Sequence, residues 1–218
     1  MKPSRFTLLA VSLLCLCTAA LAAAEPAVKP EDALARLLEG NQRFVAGTAT
    51  HPNQSAERRT ALAGGQQPFA IVLTCADSRV APELYFDQGL GDLFVLRNAG
   101  NVLDDHIIGS IEYAVEHLRA SLLIVVGHAQ CGAVSAAVAG GHAPGHIHSL
   151  VESIEPALAV ALKQEGDKVD NTVRAHARRV ADILARVEPI LGEAVKAGHL
   201  KVVAGRYDLA TGRVEILP

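Results

Sequence analysis

Cys75, Asp77 and Arg79 fall within the five residues CADSR, and 53 positions after that cysteine comes HAQC, which supplies His128 and Cys131. Two thiols and one imidazole form a soft donor set that favours zinc over magnesium or calcium. Three protein donors leave a tetrahedral zinc one ligand short, the pattern of a catalytic rather than a scaffolding site. Asp77 and Arg79 would stand beside such a metal as a carboxylate that an arginine keeps ionised at neutral pH, able to accept a hydrogen bond from solvent there. Each half also has a plainer reading. H-x-x-C spacings recur by chance, an Asp–Arg pair can simply brace a loop, and two cysteines in an exported chain can form one disulfide.

Both motifs close apolar runs, so something must bring two strand ends together. FAIVLTC leads into the first motif and SLLIVVGH into the second; DLFVLRNAG (92–100), LKVVAGRYD (200–208) and a short RVEIL after the turn ATG add further strand candidates. Helical patterns fill the gaps at about 105–119, 131–140, 147–164 and 170–197, the last expected to bend at Pro189. Apolar strands without clear alternation, separated by helices, predict an α/β fold: a central, mostly parallel sheet flanked by helices, with an edge hairpin at the C-terminus. Functional residues then gather at the carboxyl ends of the strands. Ahead of the sheet, 31–46 reads as an amphipathic helical arm weakened by Gly40 and Asn41, followed by a polar stretch.

The chain has 218 residues, half of them hydrophobic, which suits one domain and a sizeable core. Lys2 and Arg5, an apolar stretch to about Cys17, and Ala22–Ala24 read as a secretory signal peptide over residues 1–24, cleaved after Ala22 or Ala24, leaving one domain over 25–218. That stretch is shorter than the ~20 apolar residues of a membrane span. Cys15 and Cys17 do not follow small residues as a lipid-attachment cysteine would, so no stable membrane anchor is expected and the product is placed outside the cytoplasm, in a periplasm. Removing the leader leaves 18 basic and 23 acidic side chains and only Cys75 and Cys131. No basic excess or motif points to nucleic acid.

CADSR and HAQC, with GDLFVLRNAGN and GSIEYAVEHL between them, resemble the β-class carbonic anhydrases over about residues 31–208. The resemblance implies reversible hydration of carbon dioxide to bicarbonate at one Zn²⁺ per subunit, held by Cys75, His128 and Cys131, with Asp77 and Arg79 as the catalytic pair. It further implies a substrate pocket in which Gln66 and the Gly132 backbone N–H donate hydrogen bonds and Phe94, Ala99 and Tyr113 form apolar walls, part of them across a subunit boundary. A homodimer or a dimer of dimers is therefore expected; the arm can pack on its own domain or cross to a partner, and the resemblance implies that it embraces the second subunit. Within the family Asp77 can swing onto zinc in an inactive form that accompanies a tryptophan three residues before the first cysteine; here that residue is Val72, and Asp77 is expected to stay on Arg79. Two thiolates cancel the charge of Zn²⁺, so such a site acidifies water less than three histidines would.

Other residues carry less. His142, His146 and His148 lie in a Gly- and Pro-containing loop with no acid or cysteine to complete a metal set, and Arg97 and Asn98 read as braces. His106, His117, His176 and His199 belong to no constellation and are expected at the surface or at helix ends. Two rival functions use the same residues: a zinc hydrolase of carbon disulfide or carbonyl sulfide, and a noncatalytic zinc or redox protein with a reversible Cys75–Cys131 bridge.

Overall fold

A computed structural model describes residues 26–218, so the expected leader, residues 1–24, lies outside the described part. Five strands form one sheet in the order β2-β1-β3-β4-β5: β1 (Ala70–Cys75), β2 (Leu93–Asn98), β3 (Leu122–His128), β4 (Lys201–Tyr207) and β5 (Val214–Leu217). The first four run parallel, and β5 returns antiparallel to β4 with Tyr207 opposite Val214, which is the expected edge hairpin. Strands β1 and β3 are buried at every position, because helices cover both faces of the sheet. Val72, Ile124 and Val126 point to the face covered by α1 (Pro30–Val45) and α3 (Pro82–Tyr85) and bordered by α5 (Gly132–Ala139) and α6 (Ile147–Ala161). Ile71, Leu73, Leu123 and Val125 point to the other, against α4 (Asp105–Glu116), α7 (Lys168–Leu184) and α8 (Ile190–Lys196).

The arm forms one uninterrupted helix through Gly40 and Asn41, and both residues serve packing. A Cβ on Gly40 would sit 1.8 Å from the Phe86 carbonyl oxygen, so only glycine lets α1 approach that loop. Asn41 donates to the carbonyls of Tyr85 and Gly212 and accepts from the Val214 N–H, tying α1 to the C-terminal hairpin. Ala33 and Leu37 are fully buried within this one chain, so the arm packs on its own domain.

The polar stretch behind it is pinned. Asp87 accepts hydrogen bonds from Arg43, Thr50 and His51; burial works against its charge, but these donors win and hold the carboxyl well below its ordinary range. Asp92 likewise gathers Arg36, Asn53 and the Gly89 N–H. A short helix absent from the sequence reading, α2 (Ala56–Ala61), starts here, capped by Ser55.

Two expectations are corrected. The segment 170–197 is two helices: α7 ends at Leu184, and Pro189 caps the start of α8 rather than bending one continuous helix. His176 is only 3% exposed on the inner face of α7. Burial pushes its pKa down to about 4, so the folded protein keeps this imidazole neutral at neutral pH. An unfolded chain takes up that proton near pH 6.5 and the folded chain only near 4, so acidification through this window erodes stability by on the order of 2–3 kcal/mol. Urea midpoints at pH 7 and pH 4.5 are expected to converge in His176→Val relative to the unsubstituted protein; equal pH slopes in the two would contradict this.

Candidate metal centre

The sheet order places β1 and β3 side by side in parallel, Thr74 opposite Val126, so their carboxyl ends open on the same spot. Cys75 ends β1, His128 ends β3, and Cys131 immediately precedes α5. All three are buried, and their donor atoms lie within 4.8 Å of one another, the only such group among the described residues. Both cysteines are free, their sulfurs 4.0 Å apart. Two thiolates on one tetrahedral zinc would stand about 3.8 Å apart, given Zn–S bonds of ~2.3 Å. The observed spacing therefore suits a shared metal and not a disulfide.

The imidazole is oriented for the same purpose. His128 Nδ1 lies 2.9 Å from the Ala129 carbonyl oxygen, which can only accept, so Nδ1 carries the proton. Nε2 is left as a bare acceptor, fully buried and without a hydrogen-bond partner, facing the sulfurs. A buried orphan of this kind is what a metal would satisfy. The thiols are poised unequally. The Cys131 S–H and the Gly100 N–H, 3.3 Å away, both favour the Cys75 thiolate and pull its pKa down. That anion in turn pushes Cys131 up, against the N–H groups of Val134 and Ala133 at the start of α5.

Asp77 and Arg79 sit in the loop that leaves β1. Arg79 grips the carboxylate twice through its side chain, Nε to Oδ1 at 2.9 Å and Nη2 to Oδ2 at 2.6 Å, and once through its backbone N–H to Oδ1. The Arg79 side chain above all holds the Asp77 carboxyl far below its ordinary range. Oδ1 thus takes two donors and Oδ2 one, and Oδ2 lies 3.8 Å from His128 Nε2. In this structure Asp77 is held by Arg79. Arg97, at the end of β2, donates to the carbonyls of Cys75 and Asp77 and so fixes the loop that carries both. Asn98 closes the turn beyond it through two hydrogen bonds with Val102.

The expected pocket residues divide. Ala99 opens the turn beside Cys75, and Gly132 is the first residue of α5 next to Cys131, so the chain itself brings these two to the cysteines. Phe94 lies four residues back along β2, about 13 Å at strand spacing, where its ring meets Tyr113 with centroids 6.4 Å apart. Tyr113 is 48% exposed, and Gln66 is exposed at the opposite end of β1 from Cys75. His142, His146 and His148 do not converge on a metal position; His148 meets Glu152 instead.

A family profile described as "Carbonic anhydrase" matches residues 70–214. Carbonic anhydrase 2 of Mycobacterium tuberculosis is 43% identical over 192 residues, 86% of this chain and 93% of the relative. Among solved structures, two tetrameric β-carbonic anhydrases from Sordaria macrospora were described together, and one chain superposes with a TM-score of 0.67 at 26% identity, covering 84% of this chain and 96% of its own. A Coccomyxa β-carbonic anhydrase in complex with acetazolamide gives 0.66 at 29%, covering 84% and 86%. With a matched profile that takes in every residue of the thiol–imidazole group and a relative aligned along nearly its whole length, the chain belongs to the β-class carbonic anhydrases.

Proposed function

We propose that the protein hydrates carbon dioxide reversibly to bicarbonate and a proton at the carboxyl ends of β1 and β3. The observation that carries this is an unpartnered His128 Nε2 converging with two thiols, next to a carboxylate that Arg79 keeps charged. Cys75, His128 and Cys131 would hold one zinc per subunit, and zinc, when bound, supplies the Lewis acidity that ionises water near neutral pH. Asp77 is ionised and can only accept. Arg79 places two donors on Oδ1 and one on Oδ2, so Oδ2 keeps the acceptor capacity to hold a proton of the attacking oxygen, which turns that oxygen's lone pair toward carbon dioxide. The Gly132 N–H, at the positive end of α5, suits the charge that develops on the substrate oxygens.

Gln66 and Tyr113 lie away from their own chain's cysteines and exposed, which supports a homodimer or dimer of dimers in which a second copy completes the apolar pocket. The leader-like N-terminus supports an exported, periplasmic enzyme. Among the described residues no helix is long and apolar enough to cross a membrane. Stopped-flow hydration of carbon dioxide, with zinc and sedimentation measured on the same sample, is expected to give activity proportional to bound zinc in an oligomer. Activity in a zinc-free sample would refute the reading.

A further inference from the structure

The turn that follows β2 reaches the metal centre through its backbone. Asn98, the last residue of β2, lies opposite Cys75 across the β1–β2 pair, and its carbonyl accepts from the Ala76 N–H at 3.0 Å. Two residues on, the Gly100 N–H donates to Cys75 Sγ at 3.3 Å. Two successive residues of this turn are left-handed, Gly100 with a φ of 77° and Asn101 with a φ of 44°. Glycine enters that region freely, whereas asparagine does so at some cost, so the turn needs support from outside its own backbone.

The Asn98 side chain supplies it. Its Nδ2 donates to the Val102 carbonyl and its Oδ1 accepts from the Val102 N–H, both at 2.9 Å, so one planar amide engages both backbone groups of the residue that closes the turn. Packing sets where the closed turn sits. A Cβ on Gly100 would meet Ala133 of α5 at 3.0 Å and Ile154 of α6 at 3.1 Å. Ala133 stands just beyond Cys131 and Gly132, so the turn bears on the segments that carry both cysteines. Apolar contacts of this kind limit how far a turn can shift but not how its peptides tilt; two directional hydrogen bonds constrain the tilt.

We infer that Asn98 is a positioning residue of the metal centre: by clamping the turn from Ala99 to Val102 it keeps the Gly100 N–H aimed at Cys75 Sγ. Its side-chain hydrogen bonds go to Val102, so it acts on the sulfur only through the turn. A hydrogen bond to a metal-bound thiolate withdraws charge from sulfur and helps to hold the sulfur in place. Without the clamp, Cys75 becomes a stronger electron donor whose position is less defined. The loss of position governs how long the metal stays, because a thiolate that wanders opens the site to solvent and to competing ligands.

The inference rests on a metal being held by Cys75, His128 and Cys131, and cobalt tests the two separately. Co²⁺ in the unsubstituted protein is expected to show a thiolate-to-cobalt charge-transfer band; its absence overturns the metal assignment and this inference with it. Given that band, Asn98→Ala is expected to move it to longer wavelength and to speed cobalt release to a chelator by about tenfold, the low end of losses from partners of metal ligands. Asn98→Asp keeps an acceptor for the Val102 N–H and is expected to fall between the two proteins in both measurements. An unmoved band and release rate in folded Asn98→Ala sinks the role of Asn98 while leaving the metal assignment intact. If the alanine variant fails to fold, the cadmium-loaded unsubstituted protein decides. Scalar coupling between ¹¹³Cd and the Gly100 amide proton, together with slow exchange of the Val102 amide, supports the chain of contacts; absence of either overturns it.

Discussion

Asp77→Ala is expected to lower kcat/KM for carbon dioxide hydration by about 10²–10³-fold while zinc stays at one per chain, the range lost when a positioned acid–base group is removed. Asp77 is not among the three converging donors, so its removal leaves the metal's ligands in place. What disappears is the one charged acceptor beside them, held by three hydrogen bonds from Arg79. Arg79 is half exposed, so solvent can take over its charge and little stability should be lost. Asp77→Asn sharpens the case, since an amide in place of the carboxylate presents donors where an acceptor is required. A noncatalytic zinc or redox protein would be indifferent to either change. Activity of Asp77→Ala within threefold of the unsubstituted protein, measured at matched zinc content, would falsify the role of the carboxylate.

Cys131→Ser is expected to abolish bound zinc and to reduce hydration by about 10³-fold or more, because the Lewis acid leaves with the ligand. Cys131 is 2% exposed, with its sulfur at the N-terminus of α5 and 4.0 Å from that of Cys75. A serine hydroxyl is a poor, hard substitute for a thiolate and remains protonated there. Metal that binds only the folded chain adds to its stability, so the variant should also melt at a lower temperature than the zinc-loaded protein and close to the chelator-treated one. Metal analysis, hydration assays and calorimetry on the same samples check all three. A fully active, metal-free protein with a Cys75–Cys131 bridge would instead favour the disulfide reading.

The three converging donors were legible in sequence because each lies where local pattern is strongest. Cys75 and His128 end apolar runs that can only be strands, and Cys131 follows at a spacing that begins a helix. Asp77 and Arg79 were legible for the same reason, since a pair two residues apart meets through local backbone geometry. Arg97 and Asn98 were read as braces; Arg97 braces the Cys75–Asp77 backbone across the β1–β2 pair, a contact 20 or more residues distant, while the Asn98 side chain closes its own turn on Val102.

Sequence by itself determined the donor set, the carboxylate–guanidinium pair and the alternation of strands with helices, all consequences of side-chain type and short-range periodicity. The tertiary structure alone decided that β1 lies beside β3, that Gly40 and Asn41 belong inside a helix, that Gln66 precedes β1 at the end opposite Cys75, and that His176 is buried on the inner face of α7. Each of these depends on contacts between segments far apart in the chain. There, close packing and the need to satisfy buried polar groups override local propensity.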